Sequence, residues 1–159
     1  TGHFVFSTLH TNDAPSAVPR MIDIVVKPFL VASSTRAIMA QRLVRKICEK
    51  CKEPYEPQEA ELRLLGPAAK QLASAQLFHG KGCADCSFTG YRGRLGIYEI
   101  FLIDDQVRNL IFDQVSSTEL RIKARELGMR TLREDGVRKV VAGITTLEEV
   151  LRVTMGDNG

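Results

Sequence analysis

Residues 45–54, RKICEKCKEP, carry two of the chain's four cysteines, and residues 82–88, GCADCSF, carry the other two at the same spacing. Together Cys48, Cys51, Cys83 and Cys86 form a C-x2-C-x31-C-x2-C set. Two residues between cysteines let one tight turn point both sulfurs inward. Two such turns facing each other build a tetrahedral four-sulfur shell, the geometry that suits zinc. The rival readings are weaker. A redox C-x-x-C stands at the start of a helix and does not come as a matched pair. Two disulfides need an oxidising compartment, and four cysteines in 159 residues do not make a disulfide-dense mini-domain. Four thiolates leave no open coordination position, so the expected ion is structural. It would clamp a 31-residue excursion. Apparent zinc-site energies of roughly 10–16 kcal/mol make such an ion decisive for local folding. Its removal is expected to loosen residues 46–92 first. His79, near the second pair, is a spare ligand beside a shell already complete.

Outward from the cysteines, the bulk properties exclude more than they assign. The length suits one domain or two small ones. A chain this long buries roughly two thirds of its unfolded surface, so a core forms without staples. The net charge of +3 is too weak to imply nucleic acid. TGYRGR (89–94), with Arg92 and Arg94 around glycines and Tyr91, has the composition of a nucleic-acid contact. It reads better as a tight turn entering a strand, with solvated arginines. No apolar run approaches the ~20 residues of a membrane span. IDIVVKPFLVA (22–32) is interrupted by Asp23, Lys27 and Pro28. A cytoplasmic setting is the simplest reading. The opening TGHFVFSTLH has neither methionine nor leader, and reads as the cut start of a piece of a longer protein.

The pattern is α/β. HFVFSTLH (3–10) reads as a buried strand. In the polar run that follows, Asp13 or Ser16 is placed to cap a helix carrying Val18, Met21 and Ile22. Pro19 lacks an amide donor and disfavours helical geometry at Val18, so this helix is expected to start near Pro19 or kink there. Pro28 suits a helix first turn. FLVASSTRAIMAQRLV (29–44) is expected to continue as a mostly buried helix, turning to strand near Arg42–Ile47. Helical stretches are expected near Glu59–Leu65 and Ala68–Ala75, and a strand over 92–103. A helix near 104–114 precedes three more. Their capping-box starts are Ser116-x-x-Glu119, Thr131-x-x-Glu134 and Thr146-x-x-Glu149. Gly128 and Gly143 stand where helices end.

His3 and His10 are seven residues apart. On one continuous strand they face opposite ways, roughly 23 Å apart, and cannot share one ion. His10, with Thr8, Thr11, Asn12 and Asp13, would sit at the carboxyl end of a strand, where α/β sheets bind ligands. An imidazole and hydroxyls there can sense a phosphate or position a water. On spacing alone, an ordinary capped loop is the favoured alternative. No G-x-x-x-x-G-K-[ST] occurs in the chain, so it has no phosphate-cradling loop, and no complete active site stands out.

Four stretches in this order, TGHFVFSTLHTNDAPSAVPRMID (1–23), AQRLVRKICEKCKEPY (40–55), GCADCSFTGYRGRLGIYEI (82–100) and EDGVRKVVAGITTLEEVLRVT (134–154), closely resemble one family. It is the C-terminal part of the hexameric ATPases that power type II secretion and type IV pilus assembly. The resemblance implies the C-terminal portion of a RecA-like ATPase core (residues 1–46), a tetracysteine zinc subdomain (47–92), then a strand and a C-terminal helical bundle (93–159). GHFVFSTLH is similar to the family's histidine box, which implies that His10, His3 and Thr8 lie near nucleotide. The cysteines match a zinc subdomain that retraction-type relatives lack, which favours an assembly or secretion motor. The resemblance further implies ATP and Mg2+ in the parent protein, with the phosphate loop upstream of this chain. As partners it implies homo-hexamer neighbours, an inner-membrane platform and cytoplasmic adaptor proteins. The setting it implies is the cytoplasmic side of the bacterial inner membrane, with no specific nucleic acid. Pro19 departs from the family, and the 31-residue spacer is long for it. The competing expectation is a free-standing zinc-ribbon adaptor that binds protein or nucleic acid.

Overall fold

The computed structural model describes residues 3–24, 26–72 and 75–155. The described chain divides into two compact units, Thr1–Ala40 with Ile100–Met129, and Gln41–Glu99 with Arg130–Gly159.

In the first unit, α1 (Ala17–Asp23) and α2 (Pro28–Ser34) pack with α4 (Asp105–Phe112) and α5 (Ser117–Glu126). Val18, Val31, Phe101, Val107, Ile111 and Leu120 form the middle of the core. α1 begins at Ala17, near Pro19 as expected, and Pro19 stands inside its first turn. It is the third helical residue, where a first-turn amide has no intrahelical partner to lose. Pro28 does open α2 at its first turn, as its fixed φ favours.

Two expectations for this unit are corrected. Residues 3–10 are not a buried strand. They carry no regular structure, and Phe4 and Phe6 are 81% and 94% exposed. Among the described residues the sheets pair β1 with β4 and β2 with β3, and neither includes this segment. A strand needs a neighbour to satisfy its backbone groups, whatever its side chains prefer. Nor is 29–44 one long helix. It stops at Ser34, where the Ser33 and Ser34 hydroxyls donate back to the Leu30 carbonyl at 3.4 and 2.5 Å. Such bonds compete with the helical ladder. β1 (Ala37–Ile47) then pairs with β4 (Tyr91–Leu102). Ile103 N–H bonds the Arg36 carbonyl and Cys48 N–H bonds the Gly90 carbonyl, both at 3.0 Å, so the pairing is antiparallel. A cross-strand ladder outweighs the helical leaning of AIMAQRL.

In the second unit, β2 (Lys52–Tyr55) pairs antiparallel with β3 (Leu77–Gly80), Lys52 opposite Gly80 and Tyr55 opposite Leu77. Neither short strand is legible locally, and Pro54 argues against one of them. Between them run α3 (Glu59–Leu65), as expected, and a 3-10 helix, Gly66–Leu72. The helical stretch expected at Ala68–Ala75 overlaps the 3-10 helix and then meets residues 73 and 74, outside the described ones. α6 (Leu132–Val141) packs on α7 (Leu147–Thr154) at Gly136, where an added Cβ would lie 2.6 Å from Val150 Cγ1. The boxes of Ser116 with Glu119 and Thr131 with Glu134 are reciprocal, as expected. The third is half a box: Thr146 accepts the Glu149 N–H, but the Glu149 carboxylate turns elsewhere. Gly128 and Gly143 follow helix ends with φ of 90° and 68°. No helix among the described residues is long and apolar enough to cross a membrane.

Candidate metal centre

β1 delivers Cys48 directly after Ile47, and a turn closed by Cys51 N–H on the Cys48 carbonyl (3.2 Å) brings in Cys51. The second pair is held by the 3-10 turn Ala84–Cys86, closed by Cys86 N–H on the Cys83 carbonyl at 3.2 Å. The four sulfurs lie within 4.8 Å of one another. Cys48–Cys83 and Cys51–Cys86 are 3.9 Å apart, and Cys83–Cys86 is 3.8 Å. Tetrahedral coordination with bonds of about 2.3 Å places sulfurs about 3.8 Å apart, so the spacing fits a metal ion. It is nearly twice a disulfide bond length of about 2.05 Å.

Backbone amides point at the sulfurs. Gly82 N–H donates to Cys51 Sγ (3.3 Å), while Cys83 N–H (3.2 Å) and Gly90 N–H (3.3 Å) donate to Cys86 Sγ. Donors aimed at sulfur favour the thiolate, the form that binds metal. The Cys83 amide, helped by that of Gly90, pulls the Cys86 thiol down to about 6. Burial instead pushes Cys51 up to about 12, against the opposing Gly82 amide.

The loop that carries Cys83 and Cys86 is closed at its base by two glycines, Gly80 at the end of β3 and Gly90 just before β4. A Cβ on Gly80 would lie 2.0 Å from the Gly90 carbonyl oxygen, and one on Gly90 would lie 2.4 Å from that of Gly80. Gly90 also has φ of 77°, costly for other residues. Gly90→Ala is therefore expected to weaken metal binding by about tenfold or more, since overpacking costs about 1–3 kcal/mol. Competition with a chromophoric chelator measures this, and wild-type affinity would show that the crossing yields.

The flanking groups serve the fold. Lys50 and Asp85 pair across the two turns at 2.7 Å. TGYRGR is the start of β4, with Arg92 and Arg94 exposed, which agrees with the turn-and-strand reading. Tyr91 is engaged internally: its hydroxyl lies 2.8 Å from Thr146 Oγ1, and the Arg45 guanidinium sits 4.0 Å over its ring. His79 pairs with Glu53 at 3.0 Å across the β2–β3 sheet, and among the described residues the group able to hold a metal ion consists of the four cysteines.

A second polar centre was invisible in the sequence. Glu149 is fully buried and accepts from Arg45 N–H, the Arg45 guanidinium and Arg152, at 2.8–2.9 Å. Burial works to raise its pKa. The Arg152 and Arg45 bonds overcome that and hold it at about 2.

His3, Thr8 and His10 lie exposed in the segment 3–10. At its end, Thr11 Oγ1 donates to the Asp13 carbonyl at 3.1 Å. The buried Asp13 carboxylate accepts from Ser16 N–H (2.9 Å), Ser16 Oγ (3.0 Å) and Arg121 Nη2 (2.5 Å). Asp13 or Ser16 was expected to cap α1; Ser16 is the cap residue but makes no side-chain cap bond, and Asp13's partner 108 residues away carried no signal in the sequence.

Comparison with known proteins bears on both regions. A family model described as Type II/IV secretion system protein matches residues 1–152. Type II secretion system protein E of Pseudomonas aeruginosa is 50% identical over 154 residues, covering 97% of this chain and 30% of that protein. Type IV pilus assembly ATPase PilB of Thermus thermophilus is 46% identical over 155 residues, covering 98% and 17%. Type II secretion system ATPase E of Vibrio cholerae is 44% identical, covering 97% and 30%. The chain thus spans less than a third of the length of these relatives. The crystal structure of the pilus retraction motor PilT with bound ADP matches 96% of this chain and 33% of that one, with a TM-score of 0.58 and 22% identity. That likeness shows a shared fold.

Proposed function

Because the chain belongs to the Type II/IV secretion system protein family, we propose that it is the C-terminal part of a hexameric motor ATPase driving type II secretion or type IV pilus assembly. The similarity running through residues 1–152 carries this reading. The parent binds ATP and Mg2+ through a phosphate loop that these 159 residues do not include, and turns hydrolysis into movement of neighbouring subunits in a ring.

Three functional parts follow. Residues 1–46 end the ATPase core, with 3–10 adding a strand to a sheet whose other strands come from outside this chain. The exposure of Phe4, Val5 and Phe6, apolar residues of strand composition, supports that role. His10, His3 and Thr8 then lie near nucleotide. Residues 47–92 are an arm held by a structural zinc ion on Cys48, Cys51, Cys83 and Cys86. The four-sulfur spacing supports it, and a complete thiolate shell gives the ion a holding role and no open position for chemistry. Residues 93–159 carry a strand and the helical subdomain. The arm and these helices contact ring neighbours, the inner-membrane platform or cytoplasmic adaptor proteins, on the cytoplasmic side of the membrane.

A steady-state ATPase assay tests the reading. The full-length protein is expected to hydrolyse ATP, and His10→Ala to slow it. The 159-residue chain alone is expected to show no turnover near ~1 s⁻¹, an ordinary enzyme rate. Turnover at that rate by the chain alone would overturn the reading. Steeply salt-dependent binding of DNA or RNA would favour the adaptor instead, although the engagement of Tyr91 within the fold removes part of its support.

A further inference from the structure

We propose that Arg121 is a positioning residue for the His10 segment, acting from α5 through Asp13. The inference rests on the reading of His10 as nucleotide-proximal and adds to it the group that sets where His10 stands.

The root of the segment is a turn closed by its own side chains. Asp13 accepts two hydrogen bonds from Ser16, and Thr11 donates to the Asp13 carbonyl. Beyond the turn, Ala14, Ala17 and Val18 are buried, whereas residues 3–10 before it are exposed. The segment therefore enters the packed unit at Asp13. His10 is three residues away, no more than about 11 Å along the chain.

What holds this turn to the rest of the unit in charge terms is Arg121. Its Nη2 lies 2.5 Å from Asp13 Oδ2 in a pair that is largely screened from water. α5 is a firm base for it. The helix begins at the reciprocal Ser116–Glu119 box, and Leu120 and Ala124, on either side of Arg121, are buried. Removing the guanidinium leaves a buried carboxylate with, among the described residues, the two Ser16 donors, an arrangement that favours opening the turn to water. Opening the turn swings the segment that carries His10. Misplacing a reacting group by about 1 Å costs up to about 100-fold in rate.

The test uses the full-length motor and the variants Arg121→Ala, Arg121→Lys, Asp13→Asn and the Asp13→Asn/Arg121→Ala double. Arg121→Ala is expected to lower kcat by about tenfold or more while KM for ATP changes less than about threefold, the pattern of a misplaced group rather than lost ground-state binding. Arg121→Lys restores part of the rate because it returns the charge without the guanidinium geometry. The double variant is no slower than the slower single one, since both break the same pair. Thermal melting and ring assembly report on folding. If Arg121→Ala does not assemble, Arg121→Gln, which keeps a donor of similar reach without charge, carries the same expectation. An assembled Ala or Gln variant with wild-type kcat, or rate losses that simply multiply in the double variant, would overturn the inference. A wild-type protein without ATPase activity would instead overturn the motor reading beneath it.

Discussion

Chelation of the bound metal is expected to raise amide exchange sharply at Gly82, Cys83 and Gly90, the residues whose N–H groups donate to the sulfurs of Cys51 and Cys86. Without the ion nothing bonds the four sulfurs to one centre, and the two turns that carry these donors lose the link that holds them together. Structural zinc sites contribute roughly 10–16 kcal/mol of apparent binding energy, against a total stability of about 5–15 kcal/mol for an ordinary domain. The structure narrows the expectation drawn from the sequence. Leu65, Ala68 and Leu72 are buried, α3 packs on α7, and the 3-10 helix packs on α6. Exchange should therefore rise most at residues 48–51 and 82–90 and least at 59–72. Metal uptake should also release protons and weaken as pH falls, because Cys51 is held up near 12 and must ionise. Unchanged exchange at Gly82, Cys83 and Gly90, with metal loss verified by elemental analysis, would show that the ion does not hold these turns.

Replacing Glu149 by alanine is expected to cost about 2–3 kcal/mol of stability at pH 7. Losing one partner of a buried ion pair costs about 3–5 kcal/mol where the other is left without water. Here the Arg45 and Arg152 side chains are 44% and 55% exposed and regain hydration, which lowers the figure. The Arg45 N–H that Glu149 accepts also loses its partner. The sign with pH follows from a folded pKa of about 2, below the ordinary carboxylate value near 4.3. A depressed carboxylate contributes fully above its unfolded pKa, and the contribution fades as pH falls through the folded one. Urea titrations of wild type and Glu149→Ala should therefore show a gap that is constant above about pH 5 and closes toward pH 2. A gap that does not change with pH would mean that packing, not charge, carries the effect.

The same glutamate marks the boundary of what was legible. Thr146-x-x-Glu149 has the spacing of a capping box, and the helix begins where that spacing places it. The carboxylate nevertheless goes to an arginine 104 residues away, and no local pattern records that choice. Asp13 repeats the lesson: its place in the polar run before α1 was readable, and its bonds to Ser16 and Arg121 were not. The segment 29–44 and the strands β2 and β3 turned on partners too, since strand formation depends on what lies alongside.

The amino-acid sequence by itself determined the four-cysteine set and its fitness for a metal ion, the starts of α2 and of the C-terminal helices, the glycines that end α5 and α6, and the family. Each is written in spacings of a few residues, or in residue types whose backbone limits hold in any surroundings. Only the tertiary structure decided that 3–10 has no strand partner among the described residues and that β1 replaces half of an expected helix. It alone showed which arginines neutralise Glu149 and Asp13. A backbone donor or a buried charge is satisfied by whatever the fold brings within about 3 Å, and distance along the chain does not say what that will be.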